Sequence, residues 1–188
     1  MKKIIYLLII FGFIIATNSC SKLYDWNEQE EPEIQHSSIW PLSGEWYVVY
    51  RFDNGTGVID DHNGVGHVKL FTTNTANNDA NKFWISDGGN ISKTNSNFWN
   101  YSVKADCNIG TKSFSGTDLV NTAIASDTLY NININITNGK VIVGGGKSPS
   151  GVVADSIYFE ISFEDDNPSD RIYQCSGIRR TGFLEDEY

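Results

Sequence analysis

The sequence predicts an all-β chain folded as a single antiparallel β-barrel. Several segments alternate apolar and polar residues with a period of two, the pattern of strands buried on one face. Asn, Asp and Gly pairs typical of turns separate these segments, and no segment has a convincing 3.6-residue period. Eight or nine strands within about 145 residues predict a barrel or a sandwich. The sequential hairpins favour an up-and-down barrel of about eight strands.

The individual strands follow from this alternation. The clearest predictions cover residues 45–53, 98–107, 131–136 and 156–164, and weaker ones cover residues 66–72, 81–86, 112–116, 139–145 and 171–180. The pair Asn138-Gly139 predicts a hairpin, since a type I′ turn needs a positive φ at both central positions. For residues 118–126 we allow one or two helical turns.

The first twenty residues predict an exported chain. Lys2 and Lys3 precede an apolar run over residues 4–16, which at about 1.5 Å per residue is too short to cross roughly 30 Å of hydrocarbon. Small and polar residues then lead into Cys20, and the run Thr17-Asn18-Ser19-Cys20 resembles the lipobox of bacterial lipoproteins. This resemblance implies a signal peptide over residues 1–19 and a lipid anchor on Cys20. An ordinary cleaved signal peptide is the alternative.

Residues 20–40 predict an acidic, flexible tether, and residues 41–188 predict the barrel domain. Five acidic residues lie between positions 25 and 33, as expected of a solvated linker. Acidic residues after a lipidated cysteine also resemble surface-export signals of lipoproteins. We therefore expect a protein anchored in the bacterial cell envelope, at the periplasmic face or the surface of the outer membrane.

The charge of the chain excludes some classes of partner. The formal net charge is −9, and without the two leader lysines 12 basic residues face 23 acidic ones, which gives −11. Such a chain repels phosphates, so nucleic-acid binding is disfavoured. Electrostatic attachment to anionic lipid is disfavoured for the same reason, so the acyl anchor has to supply the membrane affinity.

Two cysteines remain once Cys20 is assigned to lipid. In an exported protein Cys107 and Cys175 are the right number for one disulfide. Cys107 also lies on the apolar side of a predicted strand, where a free thiol packs well. Both readings stay open.

Two short motifs resemble the lipocalin-like (calycin) barrels. Gly44-Glu45-Trp46 opens the first strand and Arg179-Arg180 closes the last one. In those barrels a G-x-W tryptophan closes one end, and an arginine packs over the indole face. The resemblance implies that Gly44, Trp46, Arg179 and Arg180 close the barrel here.

The C-terminal half has a closer resemblance. Residues 138–147, 155–159 and 177–183 resemble a family of small bacterial lipoproteins described as lipid-binding putative hydrolases with a lipocalin-like fold. Together with the G-x-W start, the likeness covers residues 42–185. It implies lipid binding and names a hydrolase activity.

Aromatic side chains are the main groups with which the predicted barrel could bind a ligand. The side chains that share the inward face and that we predict to contact a ligand are Trp46, Tyr50, Trp99, Tyr101, Phe159 and Phe163. They would form an apolar site for a lipid or another apolar small molecule. The alternative is a filled interior, because an eight-stranded barrel is just wide enough for its own side chains.

No catalytic residue, metal site or cofactor is predicted. The sequence lacks a G-x-S-x-G nucleophile motif, and Asp60-Asp61-His62 with His67 reads as a surface turn. The run Gly144–Ser148 lacks the first glycine of a phosphate loop, because Val141 stands there. A glycan-binding module with outward Trp84 and Tyr47, and a structural domain that binds envelope proteins, are the alternatives to a lipid binder. A hydrolase is less favoured.

Overall fold

The computed structural model describes residues 35–53, 55–61, 64–88 and 98–188. The predicted signal peptide, Cys20, most of the tether and His62 lie outside these residues. Within the described residues, no helix has the length and apolar character needed to cross a bilayer.

The described residues form strands joined by short connections. The strands are β1 (Gly44–Asp53), β2 (Val58–Asp60), β3 (Val68–Asn74), β4 (Lys82–Ser86), β5 (Ser102–Asn108), β6 (Ser113–Val120), β7 (Ile124–Ala125), β8 (Thr128–Leu129), β9 (Asn133–Lys147), β10 (Val153–Phe163) and β11 (Tyr173–Arg179). One turn of 3₁₀-helix follows at Leu184–Asp186.

Eight of these strands close into an antiparallel barrel in the order β1-β3-β4-β5-β6-β9-β10-β11. Closure comes from β11, which pairs with β1 from Trp46↔Arg179 to Phe52↔Tyr173. The edge of β1 opposite β11 pairs with β3 over residues 44–48 and with the short β2 over residues 51–53. β7 and β8 form a separate hairpin. Each barrel strand pairs with the next barrel strand in the chain, so the all-β, up-and-down barrel prediction is confirmed.

The predicted hairpin at Asn138-Gly139 is wrong. Residues 133–147 form the single strand β9, and the pairing with β10 shifts register at this point. Asn138 adopts a φ of 53°, and its side-chain amide donates to Glu160 Oε2 at 2.7 Å. The pair therefore forms a β-bulge, which places a left-handed residue inside a strand instead of ending it.

The helical expectation for residues 118–126 is also wrong. The segment completes β6 and then forms β7. The tight turn to β8 uses Ser126 and Asp127 with φ values of 49° and 63°. Asp tolerates this left-handed conformation better than most residues because its short side chain bonds locally.

The alternation that predicts the strands also predicts the core. Along β10, Ile157, Phe159, Ile161 and Phe163 are buried while their neighbours are partly exposed. The two ends of the barrel differ. We call the end with Trp46, Leu42 and Ile39 the Trp46 end, and the opposite end, with Tyr50, Phe98, Trp99, Phe163 and Tyr173, the aromatic end.

Candidate functional site

Trp46 lies buried inside the barrel at the Trp46 end. Its indole Nε1 donates to Thr72 Oγ1 at 2.8 Å, and the Thr72 hydroxyl donates to the Leu42 carbonyl oxygen at 2.6 Å. Leu42 and Ile39, in the segment before β1, are fully buried. This end is therefore closed by an indole whose polar atom is satisfied, as burial of a donor requires.

Arg179 packs over this tryptophan. Its guanidinium carbon lies 4.3 Å from the centroid of the Trp46 ring. The same group donates to the carbonyl oxygens of Ser43 and Pro41 and to Asp155 at 3.2 Å. A Cβ at Gly44 would overlap this guanidinium. The glycine of the G-x-W motif thus leaves room for the arginine.

Arg180 has a different environment from Arg179. Its side chain pairs with Glu45 at 3.1 Å and with Glu187 at 2.6 Å. Both carboxylates are partly exposed to solvent. Arg180 therefore joins the C-terminal segment to the start of β1, while Arg179 makes the contact with Trp46.

The centre of the barrel contains a small polar group. The hydroxyls of Tyr50 and Tyr101 lie 2.7 Å apart in full burial. Burial, followed by the nearby Cys175 thiol, raises the pKa of both phenols well above the usual value. Because both phenols stay neutral, one can donate to the other, and the interior carries hydroxyls without charge.

The aromatic end is packed with rings. Phe98 lies parallel to Tyr50, with ring centroids 3.9 Å apart, and meets Tyr173 edge-on at 4.9 Å. Trp99 stacks on Phe163 at 4.5 Å, and its indole donates to Asp165 at 3.1 Å. Among the predicted ligand-contacting rings, Tyr101 meets Phe163 at 5.8 Å and Tyr50 meets Phe159 at 6.5 Å. The structure therefore brings five of the six predicted rings near one another, while Trp46 lies at the opposite end of the barrel.

A buried carboxylate fixes the chain at this end. Asp87 is 3% exposed and accepts hydrogen bonds from the amides of Trp99, Asn100 and Tyr101 at 3.0, 2.7 and 3.0 Å. Asn100 adopts a φ of 62°, so β5 begins only at Ser102 and not at residue 98 as predicted. We call this arrangement the Asp87 clamp.

The sequence did not reveal Phe98 or Asp87. If residues 98–107 were one strand with Trp99 inward, Phe98 would face outward. The clamp breaks that alternation, and Phe98 is buried. Phe98 is buried because the Asp87 clamp interrupts the strand pattern, and such an interruption has no periodic signal in the sequence.

The glycan-binding alternative requires exposed aromatic rings on the outer face of the barrel. The Tyr47 ring is buried beneath Tyr188, at 5.1 Å between centroids, and its hydroxyl donates to Glu187. Trp84 does point outward, but the Lys104 ammonium lies 5.0 Å from its ring centroid. Neither ring is a bare, flat surface for a sugar.

A second apolar surface lies outside the barrel. A groove of about 440 Å³ near the Trp46 end is lined in part by Val143, Val153 and Phe183. These side chains are 66%, 63% and 52% exposed. The groove is therefore a second place where an apolar molecule can contact the protein.

The cysteines and His67 occupy separate places. Cys107 is half-buried, Cys175 is buried in the barrel, and both are free thiols. His67 stacks on Tyr188 at 3.8 Å, and burial lowers its pKa. Among the residues that the structure describes, no group of three His, Cys, Asp or Glu side chains could hold a metal ion.

Comparison with known proteins agrees with this geometry. The family model for lipid-binding putative hydrolases matches residues 31–184. A search of curated proteins finds no match. The closed barrel and the family together fit the binding of a lipid or another apolar ligand. The chain belongs to the family of lipid-binding putative hydrolases.

Proposed function

We propose that this protein is a lipoprotein of the bacterial cell envelope whose barrel binds a lipid or another apolar small molecule without converting it chemically. The observation that carries the proposal is a closed barrel with an aromatic interior in a chain of a lipid-binding family. A barrel of eight strands can hold one small ligand. The rings at the aromatic end provide apolar surface for that ligand.

The anchoring part of the proposal rests on the sequence of residues 1–20. The predicted site is Cys20, and the expected place is the outer membrane, at its periplasmic face or its surface. In a bacterial host, Cys20→Ser should abolish incorporation of labelled fatty acid and move the protein from the membrane fraction to the soluble fraction. Equal labelling of both proteins would contradict lipidation at this residue.

Native mass spectrometry of the full chain tests the ligand-binding part. Protein purified from its own host in mild detergent should carry one apolar molecule per chain, released on unfolding. The outer groove supplies the control: Phe183→Ser should leave this molecule in place. Loss of the ligand in Phe183→Ser would move the site to the groove, and repeated purification without any ligand would contradict the function.

The name of the family raises hydrolysis as the second candidate. His67 is the histidine within the described residues of the barrel, and it stacks on Tyr188. If a histidine-based hydrolase is present, activity on p-nitrophenyl esters should disappear when His62 and His67 are both replaced by Ala. We expect the wild-type protein and the double variant to show the same background rate.

A further inference from the structure

Phe98 and its neighbour Trp99 differ from the other rings at the aromatic end because they do not come from a barrel strand. Tyr50, Phe163 and Tyr173 project from the barrel strands β1, β10 and β11. Phe98 precedes β5, which begins at Ser102. Its side chain is nevertheless only 6% exposed. A ring from outside the barrel wall therefore fills space that the wall encloses.

Phe98 makes the ring contacts that a ligand bound in this space would make. Its ring lies 3.9 Å from Tyr50, 4.9 Å from Tyr173 and 6.1 Å from Phe163, measured between centroids. The pair with Tyr50 is parallel within 2°, so the Phe98 ring covers one face of the Tyr50 ring. An acyl chain could cover the same ring face.

The amides bound by the Asp87 clamp begin at Trp99, the residue after Phe98, and the amide of Phe98 is not one of them. The carboxylate binds the amides of residues 99–101, and Trp99 is held further by its stack on Phe163. Movement of the Phe98 side chain therefore breaks none of these hydrogen bonds. The rest of the aromatic end can stay in place while one ring leaves.

The charges around this space define the ligand. The buried polar groups near this space include the neutral hydroxyls of Tyr50 and Tyr101 and the Asp87 carboxylate, which accepts three backbone hydrogen bonds. Among the described residues, the buried polar side chains include no Lys or Arg. Arg171, which donates to the Tyr173 hydroxyl, is already paired with Asp166 at 3.1 Å. A carboxylate or phosphate would enter without a buried cation, at a high cost.

We propose that the Phe98 ring holds the place of the ligand, and that an uncharged molecule with a single acyl chain binds at the aromatic end by displacing this ring. The proposal rests on the proposed function and adds the position and the charge class of the ligand. Because the ring must leave before binding, the wild-type affinity is reduced by the fraction of molecules in which it has left.

Calorimetric titration of the full chain with 1-decanol and with decanoate tests the proposal. Phe98→Ala should bind 1-decanol at least tenfold more tightly than the wild type, and decanoate at least tenfold more weakly than 1-decanol. Phe114→Ala is the matched control, since Phe114 packs against Phe83 and Phe159 elsewhere in the barrel. It should gain no affinity. If Phe98→Ala does not fold, Phe98→Leu should show a smaller gain in the same direction.

Several results would overturn the proposal. Equal affinity of the wild type and Phe98→Ala, no binding by either, or an equal gain in Phe114→Ala would each remove the role of Phe98. Decanoate binding as tight as that of 1-decanol would remove the uncharged class. If the wild type co-purified with one apolar molecule per chain but Phe98→Ala gained no affinity for 1-decanol, the proposed function would stand and this inference would fall.

Discussion

At the scale of single residues, the Trp46 end is held by polar atoms that each find a partner. The Trp46 indole donates to Thr72 and the Thr72 hydroxyl to the Leu42 carbonyl. Arg179 covers the ring and donates to two further carbonyl oxygens. Removing one member leaves a buried acceptor or ring without its partner, which costs more than the bond itself contributed.

Replacement of Arg179 should therefore destabilise the fold. Arg179→Ala removes the cation–π contact and three hydrogen bonds, so we expect the free energy of unfolding to fall by about 2 kcal/mol. Arg180→Ala is the control, since a partly exposed ion pair contributes roughly 0–1 kcal/mol. Urea unfolding of both variants measures the difference. Equal losses of unfolding free energy in the two variants would show that the Arg179–Trp46 contact stabilises the fold no more than the ion pairs of Arg180 do.

Asp186 gives a prediction about pH. Burial acts to raise its pKa, but hydrogen bonds from Thr181, Ser150 and Ser148 outweigh burial and lower the pKa from 3.8 to about 2. A carboxyl with a lower pKa in the folded state contributes stability above its unfolded pKa, and that stability is lost as the pH falls through the folded value. The relevant window runs from about pH 4 to about pH 2.

Asp186→Asn should accordingly be less stable than the wild type at pH 6, and the gap should close between about pH 4 and about pH 2. Urea unfolding at several pH values in this range measures the gap. Glu185→Gln, at the exposed neighbour, should show no such trend. A gap that stays constant down to pH 2 would contradict the role of the Asp186 carboxylate.

At the scale of elements, β9 shows why local sequence signals can mislead. Asn138-Gly139 has the residues of a hairpin turn, yet the left-handed Asn138 makes a bulge within a 15-residue strand. The difference lies in the neighbours: β6 and β10 flank this strand on both sides. Pairing along the whole strand outweighs the turn preference of two residues.

Gly139 is required by this packing. A Cβ there would overlap the ring and the carbonyl oxygen of Phe114, so Gly139→Ala should lower the free energy of unfolding by about 1–3 kcal/mol. Gly110→Ala is the control, because a Cβ at Gly110 comes no closer than 3.4 Å to Asn108 Oδ1. Thermal and urea unfolding provide the measurement. A harmless Gly139→Ala would mean that β6 can move away from β9.

At the scale of the whole molecule, period-two alternation predicted the strands, and the sequential hairpins favoured a barrel over a sandwich. The alternating apolar positions of β10 are its buried positions. In β1, Trp46, Val48 and Tyr50 follow the same alternation, but Tyr47 is also buried and Phe52 only partly so. The aromatic end was less predictable, because the Asp87 clamp interrupts the alternation before β5 and brings Phe98 inside. The hydrogen bonds that the amides of residues 99–101 donate to Asp87 depend on the pairing of β4 with β5. They leave no local pattern in the sequence.

Tryptophan quenching tests whether an apolar molecule binds within the barrel. A monoacylglycerol with a brominated acyl chain, which is uncharged, should quench the fluorescence of the full chain and saturate at one molecule per chain. Trp99 lies at the aromatic end, so Trp99→Phe should remove most of the quenching. Trp84 lies on the outer face, so Trp84→Phe should leave the quenching unchanged. Quenching that does not saturate, or that disappears in Trp84→Phe, would contradict the claim.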